Sequence, residues 1–276
     1  TVEMMVEYTK LVRQWGKGVP ICIDSRDEEL LIAADVGIPT TEKLIELGAK
    51  PVTLSDSSGY IYDEEGIDAV FVGHPKATSL PVDIDVGSVR ELLDLGDSQV
   101  VTVLPGSRMS EVSRLGPVFA TTAKMLLQQR PELRFVTPVA TPALRPVIEA
   151  QLESAGVTDS FCLIDGDSIE AMSAADVVLL ASGTAALESA LLGKPTVAGY
   201  AISRLGAAIV RMIGGIKTPY VTIPNLLTDE PLIPEFIQNE MKPAALAQAV
   251  WDLLEDPDRR AEISRRFATL RESLAL

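Results

Sequence analysis

No stretch of the chain restricts its fold as tightly as residues 176–195, D-V-V-L-L-A-S-G-T-A-A-L-E-S-A-L-L-G-K-P. The apolar run 177–180 has the pattern of a strand buried on both faces of a parallel sheet. It ends at Ala181, Ser182, Gly183 and Thr184, and apolar residues at helical spacing follow until Gly193 and Pro195 close the helix. A strand that turns through Ser-Gly-Thr into a helix aims free backbone N–H groups at one point, at the positive end of the helix dipole. Such a corner suits an anion, most naturally a diphosphate. Glu188, one turn beyond Thr184, is placed to accept hydrogen bonds from ribose hydroxyls. The same letters also fit an ordinary βα turn in which Ser182 caps the helix, and both readings stay open at this point.

The rest of the chain repeats the alternation. Strands are expected at 100–104, 134–138, 161–164 and 196–199, with helices at 89–95, 115–129, 142–155 and 168–174 and two terminal helices at 244–255 and 258–273. Strands alternating with helices imply a parallel sheet with right-handed crossovers. Nearer the start, helices are expected at 1–17, 27–34 and 40–47 and strands at 20–24, 51–54 and 69–72. S-D-S-S-G after the second strand is turn chemistry. Pro81, Asp83 and Asp85 lie in a loop suited to a linker. The expected fold class is α/β: a Rossmann-like domain over 81–276 behind a short, atypical α/β portion over 1–80.

Charge and composition narrow the function classes. A formal charge of -15 in a chain 47% hydrophobic and 23% charged describes a globular protein. It excludes the basic face of a nucleic-acid binder. Cys22 and Cys162, far apart among hydrophobic neighbours, read as free thiols in a reducing compartment. One histidine and two cysteines make no credible zinc set, and neither metal nor cofactor is expected. With no apolar run of the ~20 residues needed to span a bilayer, the expected address is the cytoplasm, with peripheral contact at the inner membrane.

A second informative corner is L-P-G-S-R at 104–108, again where a buried strand ends, the edge at which open α/β sheets bind ligands. Gly106 lets a ligand approach the backbone, Ser107 can donate to a phosphate oxygen, and the Arg108 guanidinium can neutralise a leaving diphosphate. Glu111, three residues on, either orients Arg108 or forms a solvated helix-face pair. Residues 202–217, I-S-R-L-G-A-A-I-V-R-M-I-G-G-I-K, suit a membrane-surface or acyl-chain contact and equally a core helix with snorkelling basic side chains. His74, in G-H-P, reads as a structural histidine.

The motifs L-P-G-S-R-x-x-E-V, D-x-x-L-L-A-S-G-T-A-A-L-E, K-P-x-V-x-G-Y and Y-V-x-I-P-N-L-L resemble, in order and spacing, the C-terminal half of lipid-A-disaccharide synthases. These are glycosyltransferases of the GT-B class, and the resemblance runs from about residue 67 to the end. It implies a UDP-sugar donor site at the carboxyl edge of the sheet. Arg108 would contact the diphosphate with Gly106 and Ser107 beside it, Ser182, Gly183 and Thr184 would hold phosphate, Glu188 the ribose, and Asn225 would line the donor pocket. It also implies transfer of an acylated glucosamine from UDP to an acylated glucosamine 1-phosphate, with inversion and without metal. A homodimer fits a family prone to exchange C-terminal elements.

The first 66 residues depart from that pattern. The family's N-terminal half is a full Rossmann-like domain with an acidic general base in G-I-D-x-P-D-F, and neither is present. Residues 3–33 resemble a fragment of a pterin-binding methyltransferase barrel. Residues 41–67 are similar to the nucleotide domain of glutamate dehydrogenases, with the Gly-x-Gly fingerprint replaced by D-V-G-I-P at 35–39. The sequence therefore reads as a chimera. Asp24, Asp56 and Asp68 are the acids at strand ends or junctions, and none occupies the family's motif. Loss of the base implies a rate lower by roughly 10²–10⁴. A scaffold that binds UDP without catalysis is the alternative function, and an NAD-dependent dehydrogenase is third.

Overall fold

The computed structural model describes residues 53–56, 59–62, 75–81, 84–181, 183–201 and 220–275. The elements expected before residue 53 and at 69–72, together with Asp24, Asp68, His74, Ser182 and the segment 202–217, lie outside the described residues.

The chain divides into two compact units, residues 1–74 with Leu276 and residues 75–275. In the first, β1 (Thr53–Asp56) and β2 (Gly59–Tyr62) pair antiparallel, with Asp56 opposite Gly59. The hairpin adds a strand at 59–62 where none was expected. S-D-S-S-G returns the chain directly, with no room for a crossover helix.

The second unit is a six-stranded parallel sheet of order β5-β4-β3-β6-β7-β8. Its strands are β3 (Val100–Leu104), β4 (Arg134–Val139), β5 (Phe161–Asp165), β6 (Val177–Ala181), β7 (Thr196–Tyr200) and β8 (Glu235–Ile237). The chain steps outward from β3 through β4 to β5. It then returns to the other flank of β3 and steps outward again from β6 through β7 to β8. Residues of β3 and β6 are almost all buried, whereas those of the edge strands β5 and β8 are partly exposed. This is why the inner strands are written in unbroken aliphatic runs. Asp176 locks the central pair: its backbone N–H donates to the Val100 carbonyl (2.8 Å), and its carboxylate accepts from the Val100 N–H (2.8 Å).

Helices α1 (Pro75–Ser79), α2 (Val86–Leu92), α3 (Met109–Gln129), α4 (Arg145–Ala155) and α5 (Ser168–Ala174) precede β6 in the chain. After it come α6 (Thr184–Leu191), α7 (Ile223–Thr228), α8 (Pro243–Glu255) and α9 (Pro257–Leu274). Two helices start earlier than the sequence suggests. The Asp85 carboxylate accepts from Ser88 N–H (3.2 Å) and begins α2 at Val86 rather than at residue 89. Helix α3 begins at Met109 rather than at 115 and runs through Pro117. That proline removes one ladder bond, but burial of Val112, Leu115 and Phe119 holds the turns on either side of it. Phe119 lies against Gly199 of β7, where a Cβ would come 3.1 Å from its ring. The sequence reading missed β2, α1, α7 and β8, each of six residues or fewer.

Two polar devices fix the layers. The half-buried Lys194 ammonium donates to the carbonyls of Ser173 (2.7 Å) and Ala175 (3.1 Å), the cationic end a helix C-terminus favours. Asn225 is fully buried. Its amide NH₂ donates to the Ile233 carbonyl and the Glu235 carboxylate (both 2.8 Å), and its oxygen accepts from Ile233 N–H (2.9 Å). Glu235 also accepts from the N–H groups of Val221 and Thr222 (both 2.8 Å), so β8 and the start of α7 close on one carboxylate. Asn225→Ala strands both polar groups of Ile233 and is expected to cost about 3 kcal/mol in urea unfolding.

Lys194 adds a pH dependence. Burial pushes its ammonium below the ordinary lysine value of 10.5; the Asp176 charge opposes that and Arg90 adds to it. The native state then releases this proton at lower pH than the unfolded chain, so the unfolded state binds more protons and stability rises with pH up to about 10.5. Urea midpoints measured as the pH is raised toward 10.5 should rise for the wild type relative to Lys194→Met.

Candidate functional site

The chain's change of direction across the sheet is at β3 and β6. These are adjacent and parallel, with Leu104 opposite Leu180. Strands on either side of this pair are reached by crossovers that run in opposite directions, which opens a crevice at its carboxyl end. The two corners singled out in the sequence leave from this pair, Pro105 to Arg108 after β3, and Gly183 and Thr184 after Ala181 at the end of β6. Parallel neighbours lie about 4.8 Å apart, so both corners open at the same edge of the sheet.

Each corner opens a helix. In the first, Gly106 has φ +121, a conformation that favours glycine, and a Cβ there would lie 2.5 Å from the Cβ of Glu111. Arg108 is the N-cap of α3, and its side chain is 77% exposed. The Glu111 carboxylate accepts from the backbone N–H groups of Ser107 (3.1 Å) and Arg108 (3.3 Å) and from Arg108 Nη1 (2.8 Å). The next two amides, of Met109 and Ser110, have no acceptor among the described residues. In the second corner, Gly183 is the N-cap of α6, and among the described residues beyond its chain neighbours no atom lies within 4 Å of where its Cβ would be. Gly183 and Thr184 are exposed, and no side chain caps this helix. Two adjacent helix N-termini, one carrying an arginine at its cap, concentrate positive potential in a chain of net charge -15.

Glu188 lies one turn inside α6 and forms an ion pair with Lys76 of α1 (2.7 Å), a cation the sequence reading did not single out. An ion-paired carboxylate still has lone pairs for ligand hydroxyls. Arg271 of α9 holds this neighbourhood together: it donates to the carbonyls of Leu191 at the end of α6 (2.9 Å) and of Leu80 just beyond α1. Asn225 is in a deeper layer, on α7, which packs against α6. Its hydrogen bonds go to Ile233 and Glu235, so it buttresses the region from inside. Glu235 and Arg114 were not legible in the sequence. Arg114 reaches from α3 to the Ala201 carbonyl past the end of β7 (2.9 Å). Both act through residues distant in sequence, and no local spacing betrays them.

The sequence matches the family model for lipid-A-disaccharide synthetase over residues 59–275. A second model, for glutamate/leucine/phenylalanine/valine dehydrogenases, matches residues 33–83. The lipid-A-disaccharide synthase of Hahella chejuensis is 43% identical over 220 residues, 79% of this chain and 55% of that protein. The Pseudomonas paraeruginosa synthase is 44% identical over 202 residues, 73% of this chain and 53% of its own length. The chain thus spans about half the length of the curated relatives it matches. Among solved structures, WaaG, a glycosyltransferase involved in lipopolysaccharide biosynthesis, aligns with a TM-score of 0.53 at 15% identity, over 76% of this chain and 53% of that one. Anabaena Alr3699/HepE, in complex with UDP and glucose, aligns with a TM-score of 0.50 at 16% identity, over 77% of this chain and 54% of that one. At these identities the likeness is one of fold, an α/β sheet of the glycosyltransferase kind. With a family model matched across residues 59–275 and relatives 43% and 44% identical over more than two thirds of its length, the chain belongs to the lipid-A-disaccharide synthetase family.

Proposed function

We propose that this chain binds a UDP-sugar at the β3/β6 crevice and is the donor half of a hexosyltransferase of lipid A biosynthesis. One observation carries the reading: the Gly106–Arg108 and Gly183–Thr184 corners leave neighbouring strands and both open helices. UDP is the leaving group of such a transfer. Helix N-termini and Arg108 stabilise the negative charge that develops on it, through dipoles and a guanidinium already in place. Glu188, paired with Lys76, faces the ribose, and Ser182 contributes to the phosphate corner. The bound Alr3699/HepE neighbour and the family supply the ligand class; an acylated sugar fits as acceptor. Residues 202–217, an apolar sequence with Arg204, Arg211 and Lys217 interspersed, would meet its acyl chains or the membrane surface. A homodimer at the cytoplasmic face of the inner membrane completes the proposal.

The second reading keeps UDP binding and drops transfer. It is favoured by the replacement of the family's acidic G-I-D-x-P-D-F segment by unrelated sequence in residues 1–66. The dehydrogenase-type match over 33–83, overlapping the synthetase match from 59, supports an origin by joining unrelated segments. Turnover of acylated UDP-glucosamine with acylated glucosamine 1-phosphate separates the two readings, and titration with NAD tests the dehydrogenase.

Calorimetry with UDP is the direct test. Arg108→Ala should weaken UDP by about tenfold or more, the loss typical of a charge-assisted hydrogen bond; unchanged affinity would remove Arg108 from the site. The ribose assignment is checked by 2′-deoxy-UDP. Wild type should prefer UDP by several-fold, and Glu188→Ala should abolish most of that preference.

A further inference from the structure

We propose that Glu111 is a positioning residue, holding the Arg108 guanidinium at the diphosphate corner; the proposal rests on the nucleotide reading above. The two oxygens of its carboxylate have different tasks. Oε2 accepts the backbone N–H groups of Ser107 (3.1 Å) and Arg108 (3.3 Å), and Oε1 accepts Arg108 Nη1 (2.8 Å). The turn is folded around this side chain, since a Cβ at Gly106 would lie 2.5 Å from its Cβ and 2.6 Å from Oε2. A solvated i,i+3 ion pair by itself orders very little. Here the carboxylate is fixed from behind by two amides, so its free oxygen is a stationary anchor. Arg108, 77% exposed, would otherwise sample many rotamers. Only one nitrogen of the fork is engaged, which leaves the remaining N–H groups for two phosphate oxygens. Met109 and Ser110, whose amides have no acceptor among the described residues, follow immediately.

The chemistry of glutamine separates positioning from capping. Its side chain has one acceptor oxygen and cannot serve both the backbone amides and the guanidinium. Glu111→Gln should therefore keep the cap and the unfolding midpoint while releasing Arg108. Removing a negative charge beside a diphosphate would by itself tighten binding, so a loss of affinity reports lost orientation. The expected result is UDP binding weakened about fivefold, with the effect shrinking to less than about twofold when Arg108 is already alanine. The ¹⁵Nε relaxation of Arg108, measured without nucleotide, should show an ordered side chain in the wild type and a mobile one in Glu111→Gln. Wild-type or tighter UDP binding in Glu111→Gln overturns the proposal, and so does an equal loss in both Arg108 backgrounds. If Glu111→Gln frees Arg108 but the wild type binds no UDP, the link between the two residues stands and the nucleotide reading falls.

Discussion

The parallel pairing of β3 with β6 is the constraint from which the rest of the second unit follows. These strands are separated in sequence by two whole βα units, yet Asp176 grips Val100 through both its backbone and its carboxylate. In a sheet, a slip of one residue inverts every side chain. Here it would also displace one anion corner along the edge relative to the other. With the register set as Leu104 opposite Leu180, the two corners emerge level with each other. The change in direction of the crossovers at this same pair leaves them uncovered.

Charge is arranged around that edge in two layers. Facing outward are partial positive charges at the starts of α3 and α6, with Arg108 and Lys76 nearby. Behind them stand carboxylates that hold the cations and amides in place: Glu111 under Arg108, Glu188 beside Lys76, and Glu235 closing α7 onto β8. This division places local positive charge at the sheet edge of an acidic chain. Long-range repulsion from its net charge is screened over about 8–10 Å in physiological salt, while hydrogen bonds within the corner act at contact distance.

Much of this was legible in the sequence. The strands at 100–104, 134–138, 161–164, 177–180 and 196–199 appear within a residue or so of their expected places, because each is a short, mainly apolar run bounded by turn or helix signals. The two Gly-Ser corners were also visible, since the residues that make an anion turn are adjacent in the chain. The early start of α3 was hidden by Pro117, and β8 by its three-residue length. The buttressing role of Asn225 was hidden for another reason: its partners Ile233 and Glu235 lie eight and ten residues away across a turn. The antiparallel β1–β2 pair shows a further miss, where one strand and the turn chemistry after it were recognised but the second strand, at 59–62, was not.

What the amino-acid order alone determined was local: which segments are strands, which glycines open turns, and which helices start beside them, all properties of residues within a few positions of one another. Family membership was also readable, because the motif series is collinear. Only the tertiary structure decided that the corners at 105–108 and 181–184 are neighbours, since strand order is set by packing and crossover handedness rather than by sequence distance. It also showed that the Glu111 carboxylate accepts from the Ser107 and Arg108 amides and from the Arg108 guanidinium. A carboxylate three residues from an arginine on a helix has the same spelling whether it is solvated or anchored, and only the backbone amides of the preceding turn distinguish the two.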